Sequence, residues 1–159
     1  MNRLAAATDL EFIYRLYMDP ENNRWLLYDP MSVELFQPIF EELVKRGHLY
    51  VYAEEGVDVG MFKLQPMRHR NRHIVYLGGV ALDNGMKGKG MGGRMVGEAI
   101  SIARMQGFSR MELTVATENE RAIRLYEQYG FEREGVLKNY SYLETEGIYL
   151  DEWVMGLIL

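Results

Sequence analysis

The chain reads as an α/β domain of the α+β kind, a mixed, mostly antiparallel central sheet of six to seven strands flanked by about four helices, one domain spanning residues 1–159. Three observations predict this. Apolar runs of strand length at 49–53, 57–64 and 74–82 are joined by turn-forming segments, the pattern of consecutive antiparallel strands. Apolar residues with helical spacing occupy both the segment before them and the segment after them. A strand, a glycine-dense turn, an amphipathic helix, a further strand and a further helix then fill 74–129, and two strands close the chain.

In order, a short strand is expected at 3–6. The pair Thr8-Asp9 then caps a helix that sets Leu10, Ile13, Leu16 and Tyr17 on one face and stops near Asp19-Pro20. Residues 21–31 read as a polar loop holding Trp25, Leu26, Leu27 and Tyr28. A helix over 32–46 points Leu35, Phe36, Ile39, Phe40, Leu43 and Val44 inward, and Gly47 ends it. The turn "EEGVD" makes a hairpin of the next two strands, and "PMRHRNRH" leads into the strand 74–82. After the glycines, Met95, Val96, Ala99, Ile102 and Ala103 form one helical stripe that Gly107 terminates. A strand at 110–115 and a helix at about 119–129, closed by Gly130, precede two final strands joined around 145–147.

Composition narrows the function. Net charge is −5 with a pI near 5.3, so a large nucleic-acid footprint is not expected. Without cysteine there is neither a disulfide nor a thiolate nucleophile. No stretch approaches the roughly 20 apolar residues of a membrane span, and the N-terminus lacks a secretory core, so the default expectation is a cytoplasmic protein with no membrane partner. Eleven methionines and eleven tyrosines suit an adaptable core or an apolar pocket.

The glycine-dense turn carries the chemistry. Five glycines in nine residues, at 85, 88, 90, 92 and 93, lie between a strand and a helix. Backbone amides in the first turn of a helix lack internal partners and sit at the positive end of its dipole, so main chain alone can bind a pyrophosphate there. A solvated surface loop is the plainer alternative. The run from Gly88 to Gly93 also satisfies G-x-G-x-x-G, but a dinucleotide fold opens its sheet at that fingerprint, whereas here half the chain precedes it. A mononucleotide loop needs Gly-Lys-Ser/Thr, and Arg94 follows Gly93.

Further along, Thr117 and Glu120 have capping-box spacing. Asn119 and Tyr126 are seven residues apart, almost two helical turns, so one ligand can meet both with Ala122 or Ile123 between them. Alternatively, Asn119 merely caps and Tyr126 merely packs.

Taken together, Lys87-Gly88-Lys89-Gly90-Met91-Gly92 and the series Asn119, Ala122, Tyr126, Gly130, Phe131 resemble the two signature elements of the GNAT superfamily of acyl-CoA-dependent N-acyltransferases, Q/R-x-x-G-x-G/A and N-x-x-A-x-x-x-Y-x-x-x-G-F. The resemblance covers residues 49–159, with a compatible helical N-terminal part. The ending "YLDEWVMGLIL" is similar to bacterial members that acetylate amino acids, polyamines or protein N-termini. One departure is Lys87, where the family has Gln or Arg.

The resemblance implies the GNAT fold, splayed between its fourth and fifth strands, and acetyl-CoA as co-substrate without a metal. By position, main-chain groups of Val80, Ala81 and Leu82 would meet the pantetheine arm and the acetyl oxygen. The amides of Gly88, Lys89, Gly90, Met91, Gly92 and Gly93, with Lys87 beside them, would hold the pyrophosphate. Asn119 would bond the arm, and Tyr126 would be the general acid for the departing thiolate, its hydroxyl being protonated at neutral pH with an ordinary pKa of about 10. Acetyl would pass by direct attack to a primary amine of a small molecule or a peptide N-terminus. The other class of function is an acyl-CoA-binding sensor or assembly module with weak or no catalysis. At family level a homodimer through the terminal strands is also implied.

The base for the amine stays open. Relatives that acetylate ribosomal proteins carry a Glu five residues before the motif Asn, and Thr114 stands there. Glu112 and His73 are nearby candidates with ready structural explanations. Acceptor regions by resemblance hold Trp25, Tyr28, Tyr140 and Tyr142, with Arg68, Arg70 and Arg72 at one rim. The aromatics suit an apolar or cationic acceptor and the arginines a carboxylate, unless "RHRNRH" is simply a solvated turn.

Overall fold

Seven strands form one sheet in the order β1-β2-β3-β4-β5-β7-β6. The computed structural model describes residues 2–159. Strand β1 (Asn2–Leu4) pairs with β2 (Leu49–Glu54), which turns back into β3 (Val57–Pro66) and then β4 (Ile74–Leu82), all antiparallel. Helix α4 (Met91–Met105) crosses over to β5 (Arg110–Ala116), which runs parallel to β4. Helix α5 (Glu120–Gln128) follows, and β6 (Glu132–Leu143) and β7 (Ile148–Ile158) end the chain, β7 lying between β5 and β6. Helices α1 (Leu10–Met18), α2 (Pro20–Asn23) and α3 (Val33–Arg46) occupy the segment between β1 and β2.

The sheet separates two apolar clusters. On one face Phe62, Leu64, Val75 and Leu77 pack with Met95, Val96, Ala99 and Ile100 of α4 and with Ile123 and Tyr126 of α5. On the other, Val51 and Met61 pack with Ile13, Leu16 and Tyr17 of α1 and Phe36, Phe40 and Leu43 of α3. Strand periodicity explains the division, since successive residues of β3 and β4 alternate between the faces.

Several local expectations are corrected. Residues 21–31 are not wholly loop: Asp19 accepts the amides of Glu21 and Asn22, and Pro20 begins α2, so one Asp-Pro pair ends α1 and caps α2. The buried stripe of α3 is narrower than its apolar content, because Phe36, Phe40 and Leu43 face the core while Leu35 is 66% exposed. In α4 it is Ile100 that is fully turned inward, with Ile102 half-buried. Asp9 takes the amide of Ala6 and the guanidinium of Arg3 rather than capping α1. Asn119, not Thr117 with Glu120, caps α5.

The feature that positions the site is the short β4–β5 ladder. Only Ile74, Val75 and Tyr76 pair with Arg110, Met111 and Glu112. Beyond them the strands part, and the backbone of β4 from Leu77 to its end has no ladder partner on that side. The expected splay is therefore present. On its other side β4 shifts register against β3 between Met61 and Lys63, where Gly79 adopts φ +58°.

Candidate active site

Where β4 and β5 separate, a cleft of about 1040 Å³ runs through the sheet. Its walls are residues 78–82 of β4, residues 114–116 of β5, the turn and first residues of α4, and the side of α5 that carries Asn119, Ala122, Leu125 and Tyr126. Asn22 and the segment 24–27 close it from the N-terminal part. Asn22 is itself buried and ties this segment to the sheet by donating to the Leu82 carbonyl at 3.0 Å.

At one end stands the glycine turn. Gly90 caps α4 in the left-handed conformation, φ +75°, and no side chain caps the helix. The first helical bond runs from the Arg94 amide to the Gly90 carbonyl at 3.2 Å, so the amides of Met91, Gly92 and Gly93 are without partners. Gly88, φ +80°, has open space where a Cβ would be, and at Gly90 a Cβ would stand 3.6 Å from Arg94 Nη1. Positive φ accounts for glycine at 88 and 90. Gly93 has a second reason, because a methyl there would stand 3.0 Å from the Tyr129 hydroxyl. Lys87, Gly88, Gly90, Gly92 and Gly93 line the cleft; Lys89 is exposed and Met91 packs toward the core, so neither side chain reaches it. Lys87 pairs with Glu21 at 3.1 Å. Five cations line the cleft (Arg24, Lys63, Lys87, Arg121, Arg124) against two carboxylates (Glu21, Glu152), and Arg24, Lys87 and Arg124 are each paired with acidic side chains.

Helix α5 presents its two expected residues to the same space. Tyr126 is 8% exposed, packs edge-on against Phe131 at 5.7 Å, and has its hydroxyl pKa pushed well above the usual value by burial, with the nearby Tyr76 adding to the shift. Asn119 accepts the Ala122 amide with Oδ1 at 3.3 Å. Capping therefore uses the oxygen and leaves the amide group as a donor to the cleft. Ala122, rather than Ile123, lies between them on the cleft side, Ile123 being buried in the core.

A second cavity of about 260 Å³ adjoins the first. It gathers Trp25, Tyr28, Tyr140 and Tyr142, the four aromatics expected around an acceptor. Arg68, Arg70 and Arg72 lie outside both cavities on an exposed turn. Glu112 is tied to Arg110 at 2.9 Å and His73 is exposed, and neither lines a cavity.

Two lining residues escaped the sequence reading. Lys63 is 4% exposed, and no carboxylate among the described residues pairs with it. Its ammonium lies 5.8 Å from the centre of the Tyr28 ring, and burial lowers its pKa. A methyl on Gly79 would stand 3.0 Å from both Lys63 Cε and the Tyr17 hydroxyl, and that hydroxyl is buried without a hydrogen-bond partner. Glu152 lines both cavities; burial raises its pKa, and the hydroxyls of Thr114 and Ser141 oppose that rise. Its signal was readable: Leu150 and Glu152 share a strand face, which placed a carboxylate among apolar neighbours.

A splayed mixed sheet with an uncapped glycine turn opening α4 at the gap defines an acyl-CoA-dependent transferase fold. Residues 10–131 match the model of the Acetyltransferase (GNAT) family, and the chain belongs to that family. It is similar to the L-amino acid N-acetyltransferase AaaT of Escherichia coli (strain K12), 29% identical over 160 residues that span 98% of this chain and 96% of that protein. Among solved structures it is similar to a GNAT superfamily phosphinothricin acetyltransferase from Sinorhizobium meliloti in complex with AcCoA, with TM-score 0.81, 25% identity and coverage of 100% and 88% of the two chains. Its fold is also that of spermidine N-acetyltransferase from Vibrio cholerae in complex with CoA and spermine, with TM-score 0.87, 20% identity and coverage of 99% and 94%.

Proposed function

We propose that the protein transfers an acetyl group from acetyl-CoA to the primary amine of a small carboxylate-bearing molecule, an amino acid first of all, by direct attack in a ternary complex. The observation that carries this reading is the continuity of one cleft from the orphaned amides of α4, past the unpaired edge of β4, to Tyr126 and the aromatic side pocket.

In this reading the amides at 88–93 bind the pyrophosphate with Lys87 alongside, because each gains a partner the fold does not supply. The free edge of β4 at Val80, Ala81 and Leu82 takes the pantetheine arm as an added strand, and the Asn119 amide donates to that arm. The amine lone pair attacks the thioester carbon and the C–S bond breaks. Tyr126 donates a hydrogen bond to the departing sulfur. Since burial raises its pKa and a thiol titrates lower, near 8.5, the hydroxyl stabilises the developing thiolate more than it surrenders a proton.

Lys63 supports the carboxylate. A buried ammonium without a counter-ion is costly, and an anionic substrate group meeting it beside the orphaned Tyr17 hydroxyl relieves both. The relative AaaT, named for L-amino acids, agrees with this choice.

The test is thiol release from acetyl-CoA over a panel of amino acids, polyamines and peptides, with CoA binding followed by calorimetry. Turnover on amino acids, abolished in Tyr126→Phe with CoA affinity kept, supports the reading. Tight CoA binding without turnover on any amine would make the protein a binding module instead.

A further inference from the structure

We infer that Glu152 is the base that receives the proton of the acceptor amine. This rests on the acetyl-transfer reading above and adds the residue that reading lacks.

Two carboxylates line the main cleft. Glu21 is at the phosphate end and is held by Lys87 at 3.1 Å. Glu152 instead lines both the cleft and the aromatic pocket, so it stands at their junction, where an amine entering from the pocket must approach the thioester.

On β7, Glu152 lies opposite Ala116 of β5 and Leu137 of β6, and it lines the cleft together with Thr114 and Ser141 of those two strands. Thr114 is in turn hydrogen-bonded to the Tyr76 hydroxyl of β4 at 2.9 Å. The other charged groups near this junction are Arg24 and Asp29 of the N-terminal segment. Arg24 is engaged by Glu118 at 3.1 Å and by Glu146, and no cation among the described residues forms an ion pair with Glu152. Hydroxyls orient a carboxylate without neutralising it, whereas a salt bridge would hold it ionised and weakly basic. Consistent with that environment, burial lifts the Glu152 pKa above the ordinary carboxylate value, and the hydroxyls of Thr114 and Ser141 only partly oppose it. A carboxylate so placed is a better proton acceptor near neutral pH.

A substrate ammonium gives one proton to a Glu152 oxygen, and the freed lone pair attacks the thioester carbon. The C–N bond forms, the C–S bond breaks, and the second nitrogen proton ends on the CoA sulfur. Glu152 then returns its proton to solvent.

The experiment compares native protein, Glu152→Gln and Glu152→Asp by kcat against pH on the best amine, with CoA affinity measured by calorimetry. Expected for Glu152→Gln is a fall in kcat of at least about 100-fold at neutral pH with CoA affinity unchanged. The plateau that Glu152 ionisation sets should also be lost, leaving a residual rate that climbs about tenfold per pH unit toward the pKa of the amine itself as free amine accumulates. Glu152→Asp should retain a plateau and part of the rate. A Glu152→Gln protein with native kcat and an unaltered plateau overturns the assignment while leaving acetyl transfer intact. So does a variant whose CoA affinity falls in step with its rate, since that marks a structural role. A native protein that acetylates no amine overturns the transfer reading itself, and the base with it.

Discussion

Tyr126→Phe keeps the ring that packs against Phe131 and loses only the hydroxyl, so its expected effect is on rate and not on folding. Removal of a positioned hydrogen-bond donor to the developing thiolate should lower kcat by about 100-fold or more, with CoA affinity and Tm close to native. Lys63→Met separates stability from function in the opposite sense. Burial lowers the Lys63 pKa, so the folded state disfavours the charged form and the native protein bears that cost at every pH where the ammonium is protonated. The substitution should raise Tm by about 2–4 °C per kcal/mol relieved. It should also raise KM for amino acids by roughly 10- to 100-fold, the loss of a charged hydrogen bond worth about 1.5–3 kcal/mol. Polyamine turnover undiminished beside that rise would identify a carboxylate contact, and an unchanged KM for amino acids would remove Lys63 from the acceptor site. Tyr126 and Asn119 were legible because their seven-residue spacing puts them on one helical face. Lys63 is illegible in sequence because a charge in a strand acquires meaning only when neighbouring strands show which face is buried and which partners are missing, whereas for Glu152 the alternation with Leu150 marks the face but not the cavity it lines.

Helix α4 begins on three glycines that the fold uses differently. Gly90 needs its left-handed backbone, so Gly90→Ala should cost about 1–2 kcal/mol with no steric clash to blame, its added methyl lying 3.6 Å from Arg94. Gly92 lies within the helix, and a methyl there meets Leu125 at 3.5 Å and Leu82 at 3.6 Å, both ordinary contacts. Gly92→Ala should therefore leave stability unchanged or raise it by up to about 1 kcal/mol, yet weaken CoA by standing where the pyrophosphate approaches the amides. Thermal melts paired with CoA calorimetry check this, and native affinity in Gly92→Ala would move the phosphates elsewhere. Elements of this size were mostly visible in advance, since β2 through β5 and α3 through α5 each carry a period of two or of 3.6. What escaped were features set by chain punctuation and by depth. Asp19-Pro20 signals a stop and a start at once, and Leu35 is apolar but lies beside the stripe that Phe36, Phe40 and Leu43 bury.

Across the whole molecule, the same gap that admits a ligand weakens the sheet. Three residue pairs join β4 to β5, whereas seven join β5 to β7, so the half containing β1 to β4 is bonded to the half containing β5 to β7 mainly at one end of the interface. The α4–α5 cluster spans the gap on one face, while the α1–α3 cluster packs chiefly on β2 and β3 on the other. An arm lying along the free edge of β4, with its phosphates on α4 and its middle against α5, would add bonds where the sheet has none. Binding to the folded state alone stabilises by mass action, about 2.7 kcal/mol at a free concentration of 100 times Kd. For a chain of 159 residues that corresponds to a Tm rise of roughly 5–11 °C. Hydrogen exchange should locate the effect, with added protection concentrated in the backbone of β4 beyond Tyr76 and in the first turn of α4, and little in β1, β2 or α3. A Tm that does not respond to CoA, or protection gained only in places remote from the gap, would show that the opening between β4 and β5 is not where the cofactor lies.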